Sequence, residues 1–212
     1  MAVYDLEEQE QMDELKSWWS KYRNILALVV VAASVTIAGV QGWRYYQDKQ
    51  GLDAGALYAQ LQTAMGAGDL KKVQDIASSM VDSYPRSAYA AYAALAGARA
   101  AYGSGDAAAA RLRLQWVADN AKEDELREVA RLRLATVLLD EKKYDEALKL
   151  LEAKHGDAMK ALYANLKGDV LVTQGKNSDA RGAYQLALDR SDAQGALRSL
   201  VQVKLDALGE AK

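Results

Sequence analysis

The sequence predicts an all-α protein in which a single N-terminal transmembrane helix is followed by a solenoid of helical repeats. Three observations lead to this prediction. The 212 residues include one proline and no phenylalanine, and long stretches are rich in residues that favour helix. Twenty consecutive residues near the N-terminus carry no formal charge. The remainder of the chain contains four similar turn-and-helix segments at regular spacing.

The uncharged run extends from Asn24 to Trp43 and contains nine strongly apolar residues. A helix of twenty residues is about 30 Å long, which matches the hydrocarbon thickness of a lipid bilayer. Tryptophan and tyrosine, which favour membrane interfaces, flank the run at Trp18, Trp19, Tyr22, Trp43, Tyr45 and Tyr46. We therefore predict a transmembrane helix at residues 24–43. The alternatives are a buried core helix and a cleaved signal peptide, but a signal peptide begins with a short basic stretch rather than an acidic one.

Residues 1–23 are predicted to form an acidic cytoplasmic tail, with a juxtamembrane amphipathic segment at residues 11–23. This tail contains six acidic and three basic residues. Its three bases lie close to the membrane run, whereas only Arg44 and Lys49 follow the run closely, and this difference favours a cytoplasmic N-terminus. Within the run, Ser34, Ala38 and Gly42 form a ridge of small residues that would let another transmembrane helix approach, although such ridges also arise by chance.

Residues 44–212 are predicted to form the repeat domain. The four turn segments align on the small or branched residues Val73, Ala110, Ala147 and Ala180, which are 37, 37 and 33 residues apart. This spacing is close to the tetratricopeptide period of about 34 residues. The third unit resembles that repeat at Leu134, Ala135, Tyr144, Ala147 and Leu151, and the fourth at Gly168, Gly175, Ala180, Tyr184 and Ala187. The first two units are degenerate, because the usual large aromatic residue of the first helix is not at the position where the repeat pattern would put it.

A C-terminal capping helix is expected at about residues 190–208. Its apolar residues fall on one helical face, at Leu197, Leu200, Val201, Leu205 and Leu208. Its polar residues Arg198, Gln202 and Lys204 fall on the other face, which we expect to point to solvent.

Composition argues against several classes of function. Residues 24–212 contain 24 basic and 23 acidic residues, so the repeat domain has no basic field of the kind that binds nucleic acid. The chain has no cysteine, and its only histidine, His155, has no neighbouring ligands at metal-binding spacing. We expect His155 to be a surface residue at a helix C-terminus. The sequence contains no phosphate loop and no hydrolase or metalloprotease motif, so we predict no enzymatic activity, cofactor or metal.

Tetratricopeptide solenoids bind partner proteins along the first helices of their repeats, and projecting that face onto this sequence gives a candidate partner-binding surface. The residues selected are Tyr58, Gln62, Tyr92, Arg99, Tyr102, Asn165 and Asp169. Tyrosine suits such a surface because it combines apolar area with a hydrogen-bonding hydroxyl. The alternative is that Tyr92 and Tyr102 pack between helices, as large residues at helical spacing often do.

The order of these features resembles the YfgM-like proteins, which are ancillary subunits of the Sec translocon. The resemblance covers nearly the whole chain. It is carried by the acidic tail, the single anchor, Gly42-Trp43-Arg44-Tyr45-Tyr46, Leu166-Lys167-Gly168-Asp169, the unit from Gly175 to Ala187, and Val203-Lys204-Leu205. The resemblance implies a Gram-negative inner-membrane protein with a periplasmic repeat domain. It also implies contact with the SecYEG translocon and association with a membrane-anchored periplasmic chaperone of the PpiD type.

The function predicted from the sequence is therefore that of a non-catalytic adaptor or co-chaperone, anchored in the membrane and acting through protein-protein interaction. Unfolded client polypeptides are a further candidate partner. Two alternatives stay open at this point: a regulatory scaffold that acts through the cytoplasmic tail, and an enzyme with an unrecognised site.

Overall fold

The computed structural model describes the backbone of residues 4–209 and the side chains of residues 11–209, and the first three residues of the predicted acidic tail lie outside that range. The described chain consists of helices without any β-strand, so the all-α prediction is confirmed. The helices are α1 (Tyr4–Gly66), α2 (Leu70–Ser83), α3 (Ala88–Gly103), α4 (Ala107–Asn120), α5 (Asp124–Asp140), α6 (Tyr144–Leu151), α7 (Lys160–Thr173), α8 (Asn177–Asp189) and α9 (Ala196–Ala207), with a short 3-10 turn at Asp157–Met159 before α7.

The chain divides into two compact units, Met1–Leu52 and Asp53–Lys212. The division falls after Leu52 rather than after Trp43, where the sequence had suggested that the repeat domain begins. Helix α1 continues past Trp43 because the residues that follow include no proline. The helix ends at Gly66, before the glycine-containing turn. The repeat fold itself begins at Asp53.

In the first unit, the apolar run is helical and none of its surface is buried against the described protein. Leu28 and Val35 are 69% and 67% exposed. The hydroxyls of Ser34 and Thr36 donate to the carbonyls of Val30 and Ala32 at 2.8 Å, which satisfies them in an apolar medium. A helix that is apolar on every face has to be surrounded by protein or lipid rather than by water. Because no described part of the protein covers this segment, it is not the core helix of a soluble domain.

The second unit consists of four helix pairs and a final helix. The C-terminal part of α1 packs with α2, followed by the pairs α3 with α4, α5 with α6, and α7 with α8. Buried side chains form three successive clusters that share helices α3 and α7, so the core runs from one repeat to the next. This arrangement is typical of a solenoid, in which each repeat buries its apolar face against its neighbours.

The small residues predicted to lie between paired helices are buried. Val73 is 3% exposed, and Ala110, Ala147 and Ala180 are fully buried. Each follows a tight turn in which one residue has positive φ, and in three repeats that residue is glycine. In the third repeat it is Lys142, with φ of +61°. The repeat register predicted from the sequence is therefore confirmed at its buried positions.

Two repeats show how the turn passes into the second helix. Asp69 caps α2 by accepting a hydrogen bond from the Lys72 backbone amide at 3.0 Å, and Asp106 caps α4 through the Ala109 amide at 2.9 Å. In the fourth repeat the first and second helices come close at Gly168, where a Cβ atom would collide with the ring of Tyr184. The glycine at this position is required by packing rather than by backbone conformation.

The final helix α9 begins at Ala196, and residues 190–195 form its connection to α8 rather than part of the helix. Val201 is fully buried against the last core cluster, as predicted. The expectation that Lys204 points to solvent is wrong, because its ammonium group turns inward onto α7, whereas Leu200 is half exposed. The reason is that the Asp169 carboxylate on α7 attracts this cation, which stays partly exposed.

Candidate partner-binding groove

The face formed by the first helices of the repeats, called here the helix-A face, comprises α1 from Asp53 onward, α3, α5 and α7. Gln62 and Arg99 are exposed on this face. Tyr92 and Tyr102 are 47% and 46% exposed, so neither ring is enclosed between helices. These side chains are accessible to a partner, and that a partner binds them stays a prediction.

Tyr58 is partly buried because its ring stacks on Tyr89. The two ring centroids are 5.0 Å apart, with an angle of 24° between the ring planes. This contact joins α1 to α3 at one end of the helix-A face. Tyr89, which the sequence projection did not select, is itself 39% exposed and extends the aromatic surface beyond Tyr58.

Two cavities open on this face and share a wall made by Arg99 and Tyr102. The larger has a volume of about 490 Å³, and its lining is Met65, Gly68, Leu70, Val73, Ala96, Arg99, Ala100, Tyr102 and Gly103. The smaller has a volume of about 320 Å³, and its lining is Ala98, Arg99, Tyr102, Leu114, Arg133, Thr136 and Val137. We call the two cavities together the Arg99 groove.

A hydrogen bond between the second and third repeats fixes the wall between the cavities. The Tyr102 hydroxyl on α3 donates to the carboxylate of Asp140 on α5. This bond raises the pKa of Tyr102, because loss of the phenolic proton would break the bond and place two negative charges together. The bond also holds the Tyr102 ring in one position against the next repeat.

Several groove residues were missed in the sequence projection, which selected nothing from the third repeat. Gln62, Arg99, Thr136 and Asp169 each precede the buried small residue of their own repeat by eleven positions. That offset alone would have found Thr136. Met65 and Arg133 lie within one turn of Gln62 and Thr136 and follow from the same register.

The fourth repeat differs, because Asn165 and Asp169 are already bonded within the chain. The Lys204 ammonium group donates to the Asn165 side-chain oxygen at 2.9 Å and to both Asp169 carboxylate oxygens at 2.7 and 2.8 Å. The Tyr184 hydroxyl also donates to Asp169 at 2.8 Å. Burial and this bond raise the pKa of Tyr184. These two residues thus hold the capping helix, and the groove lies in the first three repeats.

Comparison with known proteins places the chain in a family. Residues 16–210 match the family described as tetratricopeptide repeat-like domain. A protein of Neisseria gonorrhoeae called ancillary SecYEG translocon subunit is 32% identical over 98% of this chain and 100% of its own length. The chain belongs to the family of ancillary SecYEG translocon subunits. Proteins with the same description from Haemophilus influenzae and Escherichia coli are 28% and 26% identical, over 87% and 98% of this chain and 90% and 99% of their own lengths.

Membership of the ancillary translocon subunit family confirms the resemblance drawn from the anchor, the fourth repeat and the final helix. It also agrees with the fold, since the matched residues include both the apolar helix and all four repeats. The tetratricopeptide character of the first two units, which the sequence shows weakly, is clear in their turns and buried alanines.

The only histidine serves a structural contact. His155 lies in the connection after α6 and is half buried, with its ring centroid 4.3 Å from that of Tyr163. Tyr163 donates to the Glu128 carbonyl at 2.8 Å, and the Glu128 carboxylate accepts from the Gly156 amide at the same distance. Within residues 11–209 no three His, Asp or Glu side chains are placed to hold a metal ion. The expectation that His155 ends a helix is wrong, because α6 stops at Leu151.

Proposed function

We propose that this chain is a non-catalytic adaptor, anchored in the inner membrane by α1, that associates with the SecYEG translocon and binds a partner polypeptide in the Arg99 groove. The match to ancillary SecYEG translocon subunits over the whole length of the chain carries this proposal. The partner is a membrane-anchored periplasmic chaperone of the PpiD type, and translocating polypeptides are its clients. The repeat domain is periplasmic and the N-terminus is cytoplasmic.

Two structural features support an adaptor role. The apolar part of α1 exposes all its faces and so can contact both lipid and another transmembrane helix. The Arg99 groove exposes tyrosine, arginine and methionine, which are enriched where proteins bind one another.

Site-specific photocrosslinking in intact membranes tests the groove. A photoreactive phenylalanine analogue at Met65, which lines the larger cavity, should form adducts with the chaperone partner. The matched control is Leu186 on α8, which is 48% exposed, as Met65 is, but lies on a second helix of its repeat. Equal adduct yields at both positions, or none at Met65, would contradict binding in the Arg99 groove.

A second test addresses the ridge of Ser34, Ala38 and Gly42 as the contact with a translocon helix. A Cβ atom added at Gly42 would meet no other described atom, so the ridge is open. Ala38→Leu should reduce copurification of SecYEG several-fold because a larger side chain separates the helices. Ala32→Leu, on a different face of α1, is the control, and an equal loss in both variants would argue against the ridge.

The orientation can be tested without background labelling, because the chain contains no cysteine. Ser17 and Ser178 are both exposed, and each can be replaced by cysteine with little change in size. In spheroplasts, a membrane-impermeant maleimide should label Ser178→Cys but reach Ser17→Cys only after lysis. The reverse labelling pattern would overturn the periplasmic assignment.

A further inference from the structure

We infer that the Arg99 groove selects a peptide segment in which an acidic residue lies between two apolar side chains. This inference rests on the proposed function and specifies the partner chemistry of the same site. It follows from the apolar linings of the two cavities, from the two arginines at the smaller one, and from the fixed wall between them.

Each cavity offers an apolar surface to a side chain. Met65, Leu70 and Val73 line the larger cavity, with Met65 and Leu70 each nearly half exposed. Leu114 and Val137 line the smaller one. Burying a leucine-sized side chain in such a cavity is favourable because it removes apolar surface from water. The two cavities are adjacent, so one short segment can place a side chain in each.

The charge of the groove favours an acidic residue between the two apolar ones. Arg99 borders both cavities and Arg133 borders the smaller one. The salt bridges found among residues 11–209 include neither arginine. Among the described residues, neither cavity lining includes an aspartate or glutamate, and Asp140, outside both linings, accepts the hydrogen bond from Tyr102. A carboxylate of a bound peptide can therefore pair with two guanidinium groups, each of which donates in a geometry suited to carboxylates.

The positive charge of Arg99 and Arg133 is a local feature of the groove rather than part of a basic domain. Residues 24–212 are nearly neutral, with 24 basic and 23 acidic residues. The domain therefore has little net attraction for acidic polymers, and the proposed preference comes from Arg99 and Arg133. Replacing those two side chains should alter the preference without altering the rest of the domain.

The test uses the full-length chain in nanodiscs of neutral phosphatidylcholine and fluorescein-labelled eleven-residue peptides of glycine and serine. Each peptide carries two leucines at a varied spacing, with Asp, Asn or Lys between them. By fluorescence anisotropy, the best-spaced Asp peptide should bind about tenfold more tightly than the Lys peptide, and replacing either leucine by serine should weaken it.

Three variants sharpen the result. Arg99→Gln with Arg133→Gln should bring the Asp and Lys peptides to equal affinity, and Arg99→Glu with Arg133→Glu should reverse their order. Arg86→Glu, an exposed arginine outside both cavities, should leave the order unchanged. Reversal cannot result from misfolding, which would weaken all the peptides together.

The inference is wrong if the wild-type chain does not distinguish Asp from Lys, or if its preference survives the double Glu substitution. It is also wrong if oleate, an apolar chain with one carboxylate, binds through Arg99 and Arg133 while no peptide binds at any spacing. The crosslinking experiment separates the two proposals. Adducts at Met65 without charge selection would contradict only this inference, whereas absent adducts would contradict binding in the groove itself.

Discussion

Replacing Lys142 by glycine should stabilise the turn of the third repeat. Lys142 has φ of +61°, and the equivalent turns use Gly68, Gly105 and Gly175, with φ between +70° and +84°. A residue with a Cβ atom costs about 1 to 2 kcal/mol in this left-handed conformation, because the Cβ crowds the following carbonyl oxygen. Glycine avoids that cost.

Two opposing effects set the size of the gain. Glycine loses more backbone freedom on folding, which costs about 0.5 to 1 kcal/mol. The Lys142 side chain is exposed, and it is the neighbouring Lys143 that forms the ion pair with Glu141, at 2.7 Å. Losing the lysine side chain therefore removes little. The free energy of unfolding should rise by about 0.5 to 1 kcal/mol in Lys142→Gly.

Urea denaturation of the full-length chain in detergent, followed by far-ultraviolet circular dichroism, measures this change. The reverse substitution, Gly175→Lys, is the matched control and should lower the free energy of unfolding by a similar amount or more. A loss of stability in Lys142→Gly, or a harmless Gly175→Lys, would mean that positive φ is not the source of the difference between these turns.

Three further predictions concern packing and ionisation. Ala180→Leu should lower the free energy of unfolding by about 1 to 3 kcal/mol, because it overpacks a fully buried position, and should speed amide exchange in α9. The exposed neighbour Asp179→Leu should lower it by less than about 1 kcal/mol. Equal losses in urea denaturation would mean that the predicted register of the fourth repeat is wrong. Gly168→Ala should lower the thermal midpoint of unfolding, because the added Cβ atom collides with the Tyr184 ring. Gly182→Ala, at an open position on α8, should instead raise the free energy of unfolding by about 0.5 to 1 kcal/mol. An unchanged midpoint in Gly168→Ala would contradict the close contact between α7 and α8. Burial raises the pKa of Tyr163 from 10.0 to about 12, so the folded state keeps a proton that the unfolded chain loses at lower pH. The stabilisation from this tyrosine is complete below pH 10 and falls by about 2 to 3 kcal/mol as the pH rises to about 12. Tyr163→Phe should be less stable at neutral pH and should lack that part of the alkaline decline, and an identical alkaline curve would rule out the contribution.

The repeat architecture could be predicted from the sequence because its signals are local. A turn followed five residues later by a small buried residue recurs four times, as at Gly105 and Ala110. Both the tight turn and the close helix contact depend on residue size, which the sequence states directly. The same register, applied to the third repeat, would also have placed Thr136 on the helix-A face.

The side-chain partnerships could not be predicted, because they depend on distances between helices. Lys204 follows an amphipathic pattern that puts it on the polar side of α9, and only the proximity of Asp169 draws it inward. The bond between Tyr102 and Asp140 joins residues 38 positions apart. Helix α1 also continues beyond the predicted membrane-spanning residues 24–43, since no proline interrupts it between Trp43 and Gly66.

The contact of Lys204 with Asn165 and Asp169 gives the groove a direction. The fourth repeat offers its polar side chains to its own C-terminal helix, so that end is closed, while the first three repeats stay accessible. The two ends of a bound segment therefore meet different surroundings, and a segment lying one way is not equivalent to the same segment reversed. A bound partner segment would therefore have one preferred direction along the groove.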